Sequence, residues 1–294
     1  MEQSKIIHVW YTHEEIPCFM YQPIIVTLKS VLPKLFPLAL LNFSSTKNLP
    51  WKELESGSTI IWVGGHWECF FEQLHNLKSK NVYTVFYNTE PYFVYNETHE
   101  IWTYSKFIFE NYVKQFPEQK VLYFPVMCEE NVPRIPYKSI SSCDETCLIF
   151  LGSFHCRQEK HALLLQSDSM KTALKEIYYI WDESSYHELV GRKGHIFLNV
   201  TKSLEGNFPV LPTFRVHKLL GRGALIISEY SNVKDDDDVH KDLLFYTDVE
   251  LIPSVFEMLK MKSPEELQTL SDGIYEKFHT YFCAENIPNL IMKR

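Results

Sequence analysis

Short apolar runs of β type alternate with helical stretches along the whole chain, and this alternation limits the folds that the chain can adopt. A strand that is followed by a helix and then by another strand is typical of parallel sheets with helices on both faces. We therefore predict an α/β protein. The strands predicted in the first part of the chain are 6–11, 59–63, 82–87 and 121–125.

A second group of predicted strands follows an interval without clear periodicity. Residues 127–144 contain two prolines and several serines, which is typical of a linker between two sheets. We place the domain boundary near residue 130. The strands predicted beyond it are 147–151, 177–181, 195–199, 224–228 and 243–246.

Charge and composition exclude several classes of protein. The formal net charge is -8 and the basic residues are scattered, which argues against a nucleic acid as a partner. The cysteines include no C-x-x-C pair, so we expect reduced thiols. No apolar stretch approaches the roughly 18 residues that span a bilayer, and the first residues lack the apolar core of a signal peptide. We expect a cytoplasmic protein without a transmembrane segment.

Arginine is distributed unevenly along the chain. The first 127 residues contain neither Arg nor Asp, and the first Arg is Arg134. A guanidinium group can bind two phosphate oxygens at once. The asymmetry therefore predicts that the second half of the chain holds a phosphate-bearing ligand, with a chance bias in composition as the alternative.

Two segments of the second half resemble a known family. Residues 148–154, with the sequence LIFLGSF, are followed by Arg157, and residues 211–227, with the sequence LPTFRVHKLLGRGALII, come later. From Leu148 to Glu229 the chain resembles the donor-binding domain of GT-B glycosyltransferases, especially the group-1 and spore-coat-type branch. The first half is similar more weakly, chiefly through residues 87–91 and 100–105.

The resemblance implies a GT-B fold, in which two Rossmann-like α/β domains face each other across a cleft. It implies an acceptor-side domain over 1–130, a nucleotide-sugar donor-binding domain over 131–275, and a helical tail over 276–294 that could pack back on the first domain. The implied reaction moves a hexosyl or pentosyl group from a UDP- or GDP-sugar to a hydroxyl of a glycan or glycoconjugate acceptor. We expect no metal ion and no cofactor besides the donor substrate.

The resemblance also indicates which residues hold the donor diphosphate. Gly152 and Ser153 form the turn after a strand, where a glycine lets the backbone approach a diphosphate, and Arg157 adds a positive charge. Arg215 and Lys218, three residues apart, share one face of a helix whose first turn points at the diphosphate in the family. Surface cations without a ligand are the alternative.

Recognition of the donor ribose departs from the family pattern. Many members have a Glu where this chain has Lys218, and an ammonium group cannot accept hydrogen bonds from a ribose. Glu229 is another candidate acceptor. Glu205 resembles the first acidic position of the family's paired-Glu motif, of which the second position is missing.

An inverting transfer needs a base on the acceptor side, where Asp is absent. The loops after predicted strands of the first half offer His13, Glu14, His66 and Glu90 as candidates. Open α/β sheets bind ligands at the carboxyl ends of their strands, which is where these loops begin. A retaining transfer would need no strong base, and His66 and Glu90 could instead fix loop backbones by hydrogen bonds.

Other features leave alternatives open. The four aspartates at 235–238 are interpreted as a solvated loop rather than a metal site. Trp10, Trp67, Tyr92 and Tyr95 could stack on sugar rings or pack in a core. The motifs of dinucleotide, P-loop and α/β-hydrolase enzymes are absent. A nucleotide-sugar epimerase or isomerase, or a catalytically silent sugar-binding protein, would be an alternative function for the same fold.

Overall fold

The chain folds into two units, one formed by residues 1–127 with 284–294 and the other by residues 128–283. Each unit contains its own sheet. The computed structural model describes residues 6–11, 21–45, 54–64, 68–89, 96–127, 132–139, 146–177, 183–192, 194–201, 211, 213–231 and 233–293.

The first unit is a sheet with helices. Its described strands are β1 (Ile6–Tyr11), β2 (Leu40–Ser45), β3 (Thr59–Val63), β4 (Tyr83–Asn88), β5 (Glu100–Thr103), β6 (Lys120–Tyr123) and, from the end of the chain, β12 (Met292–Lys293). Its described helices are α1 (Gln22–Leu35), α2 (Glu68–Ser79), α3 (Lys106–Gln115) and α11 (Ile287–Leu290). The strand order is β12-β6-β5-β4-β3-β1-β2, with β12 antiparallel to β6 and the other pairs parallel.

The second unit has a parallel sheet in the order β11-β10-β9-β7-β8. Its described strands are β7 (Leu148–Leu151), β8 (Leu174–Ile177), β9 (Ile196–Asn199), β10 (Ile226–Glu229) and β11 (Phe245–Thr247). Its described helices are α4 (Gln158–Leu164), α5 (Asp168–Ala173), α6 (Glu183–Arg192), α7 (Thr213–Leu220), α8 (Lys234–His240), α9 (Ile252–Lys260) and α10 (Pro264–Tyr281).

The parallel strands of each unit, numbered from its start, follow the same order: the second strand, then the first, third, fourth and fifth. The first sheet continues with a sixth parallel strand, β6. In this doubly wound arrangement the order reverses between the first and third strands, and ligands bind at the carboxyl ends on either side of that switch point. The switch points lie between β1 and β3 and between β7 and β9.

The apolar runs predicted most strands, including β11 at a sheet edge, but they did not predict the interior strand β5 or the edge strands β2 and β8. β2 was not predicted; it forms a sheet edge, begins with Leu40 at 56% exposure, and ends in polar residues. β8 is also an edge strand and includes the exposed Lys175 and Glu176. The prediction of a strand at 177–181 shares only Ile177 with β8, and 178–182 lie outside the described residues.

Two predicted loops are structured. The aspartates at 235–238 belong to α8, so the loop predicted for them is wrong; the carboxylate of Asp237 accepts hydrogen bonds from the amide and hydroxyl of Ser231. Within the predicted linker, Tyr137 is fully buried. Its hydroxyl donates to the carbonyl of His195 at 2.9 Å and accepts from the amide of Leu225 at 3.0 Å. This part of the linker therefore packs inside the second unit.

The end of the chain changes units after a capped helix. α10 begins with the predicted cap and continues to Tyr281. In this cap the Ser263 hydroxyl accepts a hydrogen bond from the Glu266 amide, and the Glu266 carboxylate accepts one from the Ser263 amide. The hydrogen bond from the Ser263 amide lowers the pKa of Glu266. Residues 284–294 belong to the first unit, where Glu285 forms a 2.9 Å ion pair with Lys34. None of the helices in the described ranges combines the length and apolar composition needed to cross a bilayer.

Candidate functional site

Arg157 connects the two strands that flank the switch point of the second sheet. It follows β7, and its Nε donates to the carbonyl of Val200, just after β9, at 2.8 Å. Its Nη1 donates to the carbonyl of Ser153 at 2.7 Å. With 6% exposure, the guanidinium is fixed at the edge where this sheet topology binds ligands.

Arg215, in the first turn of α7, lies close to Arg157 but lacks equivalent partners. The guanidinium carbon of Arg215 lies 5.8 Å from the centroid of the Phe150 ring, and that of Arg157 lies 5.2 Å from it. Within the part of the chain that the structure describes, Nη1 of Arg215 is buried and makes no hydrogen bond. Burial, and then the charge of Arg157, lower the pKa of Arg215 to about 10. Arg215 is therefore a charged group at neutral pH with an unused donor, which suits an anion.

Gly152 keeps the space beside Arg215 open. Its φ of 151° lies outside the range that other residues readily adopt. A Cβ atom at this position would lie 3.3 Å from Cζ of Phe150 and 3.5 Å from Nη1 of Arg215. The hydroxyl of the next residue, Ser153, accepts a hydrogen bond from the backbone amide of His155 at 3.1 Å. This turn allows the backbone to come close to a ligand held by the arginines.

The first residue of α7 adds a second unused polar group. Thr213 is 4% exposed, and its hydroxyl makes no hydrogen bond to any described residue. A helix carries partial positive charge at its first turn, where its amides lack helical acceptors. The start of α7 therefore adds hydrogen-bond donors and positive potential near Arg215.

Glu229, at the carboxyl end of β10, belongs to a neighbouring cluster. Its Oε1 accepts from Nζ of Lys160 at 2.6 Å and from both the amide and the hydroxyl of Thr201. Lys160 also donates to the carbonyl and hydroxyl of Thr201 at 3.1 Å and 3.0 Å. Sequence analysis missed Lys160 and Thr201, although Lys160 stands three residues after Arg157, a spacing that brings two residues to one side of a helix.

We expect Lys160→Met to lower the free energy of unfolding by about 2 kcal/mol, because it leaves a mostly buried carboxylate without its cation. The side chains of Lys160 and Glu229 are 20% and 9% exposed. The control is Lys171→Met. Lys171 forms an ion pair with Asp168, and the side chains of these two residues are 57% and 94% exposed. Urea unfolding measures both variants, and equal losses would contradict a structural role for the Lys160 pair.

Of the other predicted residues, the structure describes Lys218 and Trp10. The ammonium of Lys218 lies 4.9 Å from the centroid of the Tyr186 ring of α6, and Lys218 is 6% exposed. Trp10 is 1% exposed, so it packs in the core and is not a surface for sugar stacking. The predicted residues outside the described ranges are His13, Glu14, His66, Glu90, Glu205, Trp67, Tyr92 and Tyr95.

Solved structures are similar to the chain over almost its full length. WaaG, a glycosyltransferase involved in lipopolysaccharide biosynthesis, matches with a TM-score of 0.51 at 9% identity, over 97% of this chain and 98% of its own. The apo structure of OtsA matches with a TM-score of 0.51 at 9% identity, over 98% of each chain. The chain has the GT-B fold.

The GT-B fold predicted from the sequence is thus confirmed. No protein-family model matches the chain, and a search of curated proteins finds no relative. At 9% identity the likeness concerns the fold, so the chemistry of this GT-B chain is argued from its own residues. The described residues contain no group of three or more His, Cys, Asp or Glu side chains placed to hold a metal ion.

Proposed function

We propose that this GT-B chain is a glycosyltransferase that moves a sugar from a UDP- or GDP-sugar to a hydroxyl of a glycan or glycoconjugate, without a metal ion. The observation that carries the proposal is Arg215, a cation with a buried, unused donor beside Arg157 at the switch point of the second sheet. A diphosphate offers the two negative charges that such a pair suits. The shared fold with WaaG, itself a glycosyltransferase, adds support.

In the proposed reaction, the bond between the sugar's anomeric carbon and the diphosphate oxygen breaks while the acceptor oxygen bonds to that carbon. The diphosphate leaves with the bonding electrons, and Arg157 and Arg215 stabilise its growing negative charge. Lys218 is proposed to add a further positive charge from the same helix. In an inverting transfer, the acceptor proton passes to a base.

The candidates for this base follow strands of the first sheet in sequence. His13 and Glu14 come after β1 in the sequence, His66 after β3 and Glu90 after β4, and sheets of this topology bind ligands at the carboxyl ends of their strands. We propose the base among these four residues. The same topological rule that favours Arg157 and Arg215 for the donor favours these loops for the acceptor.

The donor ribose is proposed to bind Glu229. One carboxylate oxygen is occupied by Lys160 and Thr201, while the other makes no hydrogen bond to any described residue. A carboxylate oxygen accepts hydrogen bonds from hydroxyl groups, which Lys218 cannot do. Glu205 is proposed as a second acidic contact to the donor, from its place in the family motif.

A thermal-shift screen tests the proposal with UDP-, GDP- and dTDP-sugars, with and without magnesium, and with free sugars as controls. A ligand at 100 times its dissociation constant stabilises the folded chain by about 2.7 kcal/mol. We expect one nucleotide sugar to raise the melting temperature without magnesium. Transfer to a glycan then distinguishes a transferase from an epimerase or isomerase, which forms product without an acceptor, and from a silent binding protein, which forms none. The absence of stabilisation by any nucleotide sugar would refute the donor site.

A further inference from the structure

One edge of the first sheet is available for pairing with another strand. β2 pairs with β1 in parallel, and no other described strand pairs with it. In an edge strand, the N–H and C=O groups of every second residue point away from the sheet, where another extended chain can bond to them. β2 has six residues, a usual length for a strand. It therefore offers a full-length template for pairing.

The other described sheet edges are poorer templates. β8 has the exposed residues Lys175 and Glu176 in its middle, and charged side chains on an edge strand oppose pairing with another chain. β11 has three residues and β12 has two, so neither can form a long ladder. β2 contains no charged residue and no proline. Among the edges in the described ranges, β2 alone is both long and uncharged.

The surface at the start of β2 is apolar. Leu38 is 71% exposed, and Leu40, the first residue of β2, is 56% exposed. Phe43 faces α1, because the ammonium of Lys29 lies 5.6 Å from the centroid of its ring. Side chains alternate between the faces of a strand, so Leu40 and Asn42 lie on the face opposite to Phe43. Covering the exposed leucines at this edge would stabilise a contact.

The charge of the first unit allows two copies of the chain to approach each other through it. Residues 1–127 and 284–294 contain twelve lysine and arginine residues, thirteen glutamates and no aspartate, so their net charge is -1. The whole chain has a net charge of -8, so most of the negative charge belongs to the second unit. Like charges repel two copies of one chain. A contact through the first unit therefore meets the least repulsion.

We propose that two copies of this chain pair through β2 in antiparallel orientation and form a two-fold dimer. Identical strands suit each other in this arrangement, because the two-fold axis places the donors of each copy opposite the acceptors of the other. Two paired strands of this length share about six backbone hydrogen bonds. The two first sheets would then form one continuous sheet. The dimer does not depend on the proposed transfer reaction.

The two-fold axis restricts the register of the pairing. An axis perpendicular to the sheet keeps each face of the sheet on its own side, so residues that oppose each other must belong to the same face of β2. When most of the strand is paired, Asn42 opposes either Asn42 or Ser44 of the second copy. A charge at position 42 is then directly opposite or diagonal to its own copy, within reach of a long side chain.

Sedimentation velocity of the full-length chain over about a hundredfold range of concentration tests the inference. We expect a transition from monomer to dimer at micromolar concentration, because strand pairing buries less area than a standard interface. Asn42→Lys should raise the dissociation constant of the dimer about tenfold or more, since like charges would face each other. Asn42→Glu alone should do the same, and an equimolar mixture of the two variants should restore the dimer.

Asn76→Lys, at an exposed position of α2, is the matched control and should leave the dissociation constant unchanged. Hydrogen exchange of the wild-type chain gives a second measurement that needs no variant. We expect the amides of β2 to exchange more slowly as the concentration rises, whereas those of the edge strand β8 should not change.

Three results would overturn the proposal. The first is a monomer at every concentration, in which case the edge would instead suit an extended segment of another protein. The second is an equal effect of Asn42→Lys and Asn76→Lys. The third is a mixture of the two Asn42 variants that forms no dimer although each variant has the melting temperature of the wild type. The experiment contains no nucleotide sugar, so its failure leaves the proposed donor site untouched.

Discussion

Arg215→Met will weaken the binding of a nucleotide diphosphate about a hundredfold, because it removes a paired set of charge-assisted hydrogen bonds. The same variant will leave the ligand-free chain at least as stable as the wild type. Nη1 of Arg215 is buried without an acceptor among the described residues, and burial lowers the pKa of Arg215, so the folded chain disfavours its charge. Methionine keeps much of the aliphatic volume without that charge. Calorimetric titration and thermal unfolding measure the two effects.

Arg134→Met is the matched control for this experiment. Arg134 is in the same unit, but it is exposed and already paired with Asp272 and Glu276 at 3.2 Å and 2.7 Å. Its replacement should leave nucleotide binding unchanged. A loss of less than tenfold for Arg215→Met, or a similar loss for the control, would contradict the donor site. A large loss of stability would instead indicate that Arg215 supports the fold.

Gly223→Ala will lower the free energy of unfolding by about 3 kcal/mol or more, since it combines a strained backbone with a clash in a packed interior. Gly223, between α7 and β10, has a φ of 71°. A Cβ atom there would lie 2.7 Å from the hydroxyl oxygen and 2.8 Å from the carbonyl oxygen of Ser271. The Ser271 hydroxyl already donates to the carbonyl of Gly223 at 2.6 Å, so the two segments have little room to separate. Denaturant unfolding measures the loss.

Gly273→Ala provides the comparison for the Gly223 variant. Gly273 lies within α10, two residues after Ser271, and a Cβ atom at this position would have no neighbouring atom within 4 Å. Alanine there should raise the free energy of unfolding by about 1 kcal/mol, because glycine is a poor helix former. If both variants changed the free energy of unfolding in the same direction, the contact with Ser271 would not be the cause of the loss in Gly223→Ala.

The apolar runs of the sequence located most strands, including the edge strand β11, but they missed the interior strand β5 and the edge strands β2 and β8. β3 reads TIIWV and every residue in it is buried, so its apolar run was enough to locate it. β2 and β8 lie at the edges of their sheets, where one side of a strand has no neighbour and polar residues are tolerated. A run of apolar residues is therefore not needed there. Local sequence does not reveal which polar segments are edge strands.

The site was predicted in part for a similar reason. Arg157 and Arg215 stand in segments with a family resemblance, and guanidinium chemistry suggests their ligand. The contacts of Glu229 link positions 28 and 69 residues away, Thr201 and Lys160, which meet only because β9 and β10 are neighbours in the sheet. Such a cluster depends on strand order, and no local pattern in the sequence encodes that order.

The placement of β12 has a consequence for the order of events during synthesis. β12 pairs with β6, yet the whole second unit lies between these strands in the chain. At the usual speed of translation, roughly 10–30 s separate the emergence of β6 from that of its last neighbour. During this interval the nascent chain presents β6 with an unpaired edge, open to aggregation or to a chaperone. The first unit to be translated is thus the last to be completed.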